Sequence, residues 1–136
     1  MLVHLKPGHT WPNRKQYALH WEAFLGIAPV IQGLIDQGLI RPCLSACITL
    51  ILPVKKPSGE YQMVQDLRAV NEATEYIYPV AANPYTLLAI LLSTRTWCSV
   101  LDLKDAFFCT PLAPESQESF AFEWQDPNMQ QKQQYC

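Results

Sequence analysis

Two short apolar runs separated by a charged turn constrain this chain most. Residues 47–54 are apolar and rich in Ile and Thr, and residues 61–67 alternate apolar with polar side chains. Between them lies Lys55-Lys56-Pro57-Ser58-Gly59-Glu60. Pro and Gly break regular structure there, so the flanking runs are predicted to pair as an antiparallel β-hairpin with two lysines at its tip. Pro53 is expected to close the first strand.

A helix is predicted just upstream, over residues 22–37. Phe24, Ile27, Ile31, Leu34 and Ile35 recur at helical spacing, and Gly38 stands where a C-terminal cap belongs. Pro29 lies inside this run, so the helix either kinks or restarts there. Further along, Asn83-Pro84 is a helix start, with Asn as the N-cap and Pro in the first turn, and the helix is expected to reach about Leu92. Residues 97–103 are apolar up to Asp102 and suit a buried strand. Residues 119–124 alternate small or polar with aromatic side chains and read as another strand. Residues 130–134 are polar, with no period. The mixture implies an α+β fold, a sheet with helices packed on one face.

Composition sets the limits. Hydrophobic residues make up 49 % of the 136 and charged residues 16 %, enough for one core and too apolar for a disordered chain. The net charge of -2 argues against an autonomous nucleic-acid binder. That total hides an asymmetry. Residues 1–71 hold seven basic and four acidic side chains, while residues 72–136 hold three basic and eight acidic. Five cysteines without a C-x-x-C pair imply free thiols in a reducing compartment rather than disulfides or zinc. With no signal peptide or membrane-length apolar run in this sequence, an intracellular, cytoplasmic protein with no membrane partner is expected.

The stretch richest in chemistry is Val100-Leu101-Asp102-Leu103-Lys104-Asp105-Ala106-Phe107-Phe108. A carboxylate at the end of an apolar strand is costly unless it is paired or binds a metal. If the chain turns after Asp102, Asp105 faces the same site, and hard oxygen donors of this kind suit Mg²⁺ or Mn²⁺. The alternative from spacing alone is that Asp102 pairs with a basic residue and Asp105 caps a helix.

Here the sequence resembles a known family. Residues 101–108 (LDLKDAFF) are similar to the first catalytic motif of retroviral reverse transcriptases of the gammaretrovirus, murine-leukaemia type. Residues 52–71 (LPVKKPSGEYQMVQDLRAVN) resemble the fingers hairpin of that family, and residues 26–39 the helix before it. Asn83-Pro84-Tyr85 with Leu87-Leu88, and Phe120-Ala121-Phe122-Glu123-Trp124, match as well. Order and spacing agree over about residues 5–128, with one residue fewer at the hairpin tip.

The resemblance implies the fingers and partial palm of a right-hand polymerase. On that reading residues 1–20 are an N-terminal arm and residues 21–95 a fingers-like region with its β-hairpin at 47–67. Residues 96–128 are the first part of the palm, and 129–136 a polar tail at a truncation. Asp102 matches the metal-binding aspartate, and Leu103 would add a backbone carbonyl to the metal. Asp105 and Ala106 would face a nucleotide triphosphate through backbone N–H groups. Phe107 matches the bulky residue under the sugar, which favours deoxynucleotides. Lys56 matches the lysine that reaches the γ-phosphate, and Asp66 and Arg68 match a strand segment at the template. Lys55 reads better as a solvated lysine, and Arg68 has the alternative of an ion pair with Asp66 or Glu72. The implied partners are an RNA or DNA template-primer and a deoxynucleotide. The implied cofactor is Mg²⁺ or Mn²⁺, held weakly or not at all here.

Three departures from the family pattern matter. No Tyr-x-Asp-Asp, the second catalytic motif, occurs in the 136 residues. Gln62 stands where the family has an arginine that clamps the triphosphate. Ile48 and Leu50 replace a polar residue and a proline, and Tyr78 replaces a common histidine. Together they predict a truncated endogenous-retrovirus polymerase fragment, inactive alone, with a palm strand left open at its edges. A rival expectation is a non-catalytic remnant that binds nucleic acid or another polymerase chain.

Overall fold

A computed structural model describes residues 1–78, 83–90, 97, 99–102, 106, 110–129 and 131–136. It divides into two units, residues 1–75 with 111–136, and residues 76–110.

The first unit is organised by helix α1, Trp21–Asp36. Ile27, Ile31 and Leu34 recur on one face and are buried, forming a core with Ile40, Ile51, Phe122 and Trp124. α1 is continuous through Pro29, with neither restart nor second helix. Pro29 sits on the exposed face, where water can satisfy the carbonyl that its missing N–H would have served. The helix stops at Gly38, whose φ is 68°. Gly38 N–H donates to Ile35 O at 2.9 Å and Leu39 N–H to Leu34 O at 2.9 Å. This double closure satisfies two of the last helical carbonyls, and the left-handed residue it requires is glycine.

The predicted hairpin forms. β2, Leu50–Lys55, pairs antiparallel with β3, Tyr61–Asp66, in the register Leu50↔Asp66 to Lys55↔Tyr61. Its connection is a three-residue turn with Pro57 first and Gly59 last. Gly59 N–H donates to Lys56 O at 2.9 Å, and Gly59 has φ 90°. β2 does not stop at Pro53 but runs on to Lys55. Lys56 N–H donates to Glu60 O at 2.8 Å, so by alternation the N–H position of residue 53 points away from β3. A proline there costs the ladder nothing.

The outer edge of β2 is also covered at Ile51. The Gln16 side chain donates to Ile51 O at 3.1 Å and accepts from Ile51 N–H at 2.9 Å, as a neighbouring strand would. Arg14 N–H donates to Ile48 O at 2.8 Å, and Ile48 N–H to Pro12 O at 2.9 Å. The N-terminal arm thus lies along this edge and closes it against other chains.

The second sheet has the order β1-β5-β4 and is antiparallel throughout. β1 is Pro42–Cys43, β4 is Phe122–Trp124 and β5 is Gln133–Tyr135. The polar tail, which offers no period to read, therefore supplies the central strand. The strand expected over 119–124 is shorter. Pro114–Gln117 forms a turn of helix and Glu118–Phe120 a 3₁₀ turn before β4. Pro114 starts that helix because a first-turn proline forfeits no bond. A further short helix, Arg68–Ala73, follows β3 and buries Val70 and Ala73. The architecture is α+β with small antiparallel sheets.

In the second unit a helix spans Pro84–Ile90, and Tyr85 N–H donates to Asn83 Oδ1 at 2.9 Å. Asn83 and Pro84 take the predicted cap and first-turn places; residues 91–92 lie outside the described residues. The expected strand over 97–103 is a correction. Trp97, Ser99, Val100, Leu101 and Asp102 are assigned to no strand, and Trp97 and Leu101 are 92 % and 88 % exposed. An apolar run becomes a buried strand only when neighbouring strands take up its backbone groups and cover its side chains. The described part of this unit contains no such strand.

Candidate functional site

The hairpin turns its two faces to different surroundings. Ile51, Pro53 and Lys55 share one face with Tyr61, Met63 and Gln65, and this face packs on α1. Leu50, Leu52 and Val54 share the other with Gln62, Val64 and Asp66. Gln62 is exposed on that outer face, opposite Val54. Lys56 is exposed at the tip, and no ion pair holds it among the described residues.

Lys55 is held rather than free. Its Nζ lies 2.7 Å from Glu22 Oε1 and 5.5 Å from the centre of the Tyr61 ring. Tyr61 Oη donates to the same Glu22 oxygen at 3.1 Å. The Lys55 and Tyr61 hydrogen bonds hold the Glu22 carboxyl below its usual range, and Glu22 raises the Lys55 ammonium. The lysine so fastens the hairpin to the first turn of α1.

Asp66 ends β3, and Arg68 opens the helix after it, so Arg68 is not on the strand. The two form a two-pronged pair. Arg68 Nε donates to Asp66 Oδ1 at 2.9 Å and Nη2 to Oδ2 at 2.6 Å, while the Arg68 backbone N–H donates to Oδ1 at 3.1 Å. These bonds lower the Asp66 carboxyl to about 2 and raise the Arg68 guanidinium. The pairing is the Asp66 alternative named from sequence, not the Glu72 one.

Asp102 and Ala106 are exposed in the second unit. Leu103, Asp105 and Phe107 lie outside the described residues. No three of His, Cys, Asp or Glu gather to hold a metal among the described residues. One exposed carboxylate is too thin a donor set for Mg²⁺, which surrenders water only to several converging anionic oxygens. The described residues therefore do not fit a two-metal centre by themselves.

Sequence reasoning missed the groups that brace the hairpin. Glu22 gives no sequence signal, because an acid in a first helical turn is ordinary. Gln65 spans from β3 to Thr49 Oγ1 at 2.6 Å and Phe120 O at 2.5 Å, and Thr49 N–H donates to Ala121 O at 2.8 Å. Gly26 of α1 lies against the Tyr61 ring, and it leaves a trace in the sequence as a glycine within an apolar helical stripe.

No protein-family profile matches the chain. It is 52 % identical over 128 residues to the Pol polyprotein of Feline endogenous virus ECE1, matching over 93 % of its own length. It is 50 % identical over 128 residues to the Gag-Pol polyprotein of Baboon endogenous virus (strain M7), and 50 % identical over 130 residues to that of Feline leukemia virus. Its homologues are retroviral Pol and Gag-Pol polyproteins. This Pol-related chain spans 12 %, 7 % and 8 % of those three proteins. Its fold is similar to a crystal structure of the Prototype Foamy Virus Protease-Reverse Transcriptase CSH mutant. The TM-score is 0.76 at 31 % identity, covering 99 % of this chain and 18 % of the other. Among the described residues, no helix of the Pol-related chain is long and apolar enough to cross a membrane.

Proposed function

We propose that this Pol-related chain is the fingers and the start of the palm of an endogenous-retrovirus reverse transcriptase. The parent reaction is RNA- or DNA-templated DNA synthesis by two-metal phosphoryl transfer. The observation that carries this reading is the hairpin. Its outer face presents Gln62 and Asp66, with Arg68 paired to Asp66 from the helix that follows, its tip leaves Lys56 without an ion-pair partner among the described residues, and a foamy-virus protease-reverse transcriptase shares the fold.

In the assembled parent site Mg²⁺ or Mn²⁺ supplies charge neutralisation at the transferring phosphate. This chain's own share is Asp102, with the Leu103 carbonyl. On this reading Lys56 would meet the γ-phosphate of the incoming nucleotide, Asp105 and Ala106 would meet the triphosphate through backbone N–H groups, and Phe107 would lie under the sugar. Gln62 weakens that grip. A neutral amide lacks the forked charge of arginine, a loss of about 1.5–3 kcal/mol for one charge-assisted contact.

As 136 residues without a Tyr-x-Asp-Asp motif, the chain is expected to give no primer extension on a homopolymer template with Mg²⁺ or Mn²⁺. Incorporation that disappears in Asp102→Ala would overturn this. The family reading has its own test. Residues 5–128 are placed in a full-length gammaretroviral polymerase, where activity must depend on Asp102. Gln62→Arg in that chimera is expected to raise incorporation, and no gain would remove Gln62 as the weak point.

A second reading, a non-catalytic remnant that binds nucleic acid or pairs with another polymerase chain, draws on the same exposed Lys56.

A further inference from the structure

β1 and β5 meet in the register Pro42↔Tyr135 and Cys43↔Gln134. The ladder continues one pair further. Arg41 N–H donates to Cys136 O at 2.9 Å, and Cys136 N–H to Arg41 O at 3.0 Å. Cys136 follows Gln134 by two residues, so it lies on the same face as Cys43, one diagonal step away. The Gln134 side chain reaches the other way, where its Oε1 accepts from Ser45 N–H at 2.8 Å. The space beside Cys43 is thereby left to Cys136, its diagonal neighbour across the ladder. Both cysteines are free and half-buried.

Cys47 is different. It is 1 % exposed, and its Sγ donates to Ser119 O at 3.2 Å. Cys98 and Cys109 lie outside the described residues.

We infer that Cys43 and Cys136 form an oxidisable pair, a modification site at which a two-electron thiol oxidant closes a disulfide between β1 and the end of β5. Both S–H bonds break and one S–S bond forms. The two protons and two electrons pass to the oxidant; with an azodicarboxamide such as diamide, its N=N bond is reduced to the hydrazine. The sulfurs close to about 2.05 Å, which a diagonal pair reaches by side-chain rotation together with a small shift of the strand end at Cys136. Burial, then the neighbouring Cys136 and Glu118, pushes the Cys43 thiol up to about 12, which makes Cys43 a poor attacking thiol. The closed bond fastens the central strand of the three-stranded sheet to the segment that leaves α1.

The test treats the 136-residue protein with diamide, alkylates it, and maps the digest without reduction. The expected result is an intramolecular Cys43–Cys136 link, with these two of the five cysteines protected from alkylation and a thermal midpoint that rises on oxidation. Cys136→Ser should lose the link, the protection at Cys43 and the thermal shift. Should the serine variant misfold, the wild-type digest alone decides. Five fully alkylated cysteines, links confined to other pairs, or links only between molecules would each overturn the inference.

Discussion

Gly26 of α1 sits directly over the Tyr61 ring, so closely that a Cβ at position 26 would be driven into three ring carbons. Helix and hairpin pack at the distance that a missing side chain permits. Gly26→Ala sets two effects against each other. Alanine favours a helix interior by about 1 kcal/mol over glycine, whereas forcing atoms into a packed contact costs about 1–3 kcal/mol. The ring atoms struck include Cγ, near the root of the side chain, so the ring cannot swing clear and the steric term wins. Urea unfolding should show net destabilisation in Gly26→Ala. It should also show recovery in Gly26→Ala/Tyr61→Ala relative to the sum of the single variants; strictly additive changes would place the cost elsewhere.

Gln16 substitutes for a strand at the edge of β2 through its two bonds to Ile51. Gln16→Ala leaves an N–H and a carbonyl of a buried residue unpaired, a loss of about 1–3 kcal/mol. The same change bares a strand edge, so light scattering should report faster self-association. Gln16→Glu keeps the acceptor and loses the donor, and should fall between wild type and alanine only where protonation restores a donor, below about pH 4.

The Asp66–Arg68 pair predicts an acid limb of defined sign. The folded carboxyl titrates at about 2, below the ordinary aspartate value of about 3.9. Its contribution to stability is therefore complete above about pH 4 and is lost as pH falls toward 2. Acid titration followed by circular dichroism should find Arg68→Gln less stable than wild type at pH 6, with the two converging near pH 2. A constant gap over that range would mean the pair is not the source.

Charge pairing also sets how any nucleic-acid binding responds to salt. Of Lys55, Lys56 and Arg68, the first is spent on Glu22 and the last on Asp66, which leaves Lys56 of these three to meet a phosphate. Fluorescence anisotropy with single-stranded DNA should give a log–log salt slope of about −0.7, one phosphate contact, rather than three times that. Glu22→Gln should release Lys55 and steepen the slope, while Lys56→Ala should flatten it.

Local chemistry was legible where a residue type has one structural use. Asn83-Pro84 starts a helix, Gly38 ends one, and Pro57 with Gly59 turns a hairpin, because each fixes backbone geometry without help from distant residues. Pairings across the chain were not. Nothing in residues 130–134 announces a strand, since β5 is polar and owes its place to β1 and β4 on either side. Glu22, Lys55 and Tyr61 come together only once α1 lies on the hairpin. At the candidate site, the ion pair of Arg68 with Asp66 was readable from their two-residue spacing, but the exposure of Trp97, Val100 and Leu101 was not, because an apolar run reports what it needs and not whether neighbours supply it.

The place of β5 bears on when this protein can fold. Residues 133–135 lie between strands made from residues 42–43 and 122–124, so the pairing with β1 joins segments some ninety positions apart. A ribosome delivers the helix and hairpin well before the central strand. Until then β1 has no partner strand, and β4 is held beside the hairpin only at Thr49. The three-stranded sheet can therefore close only after residue 135 has been made.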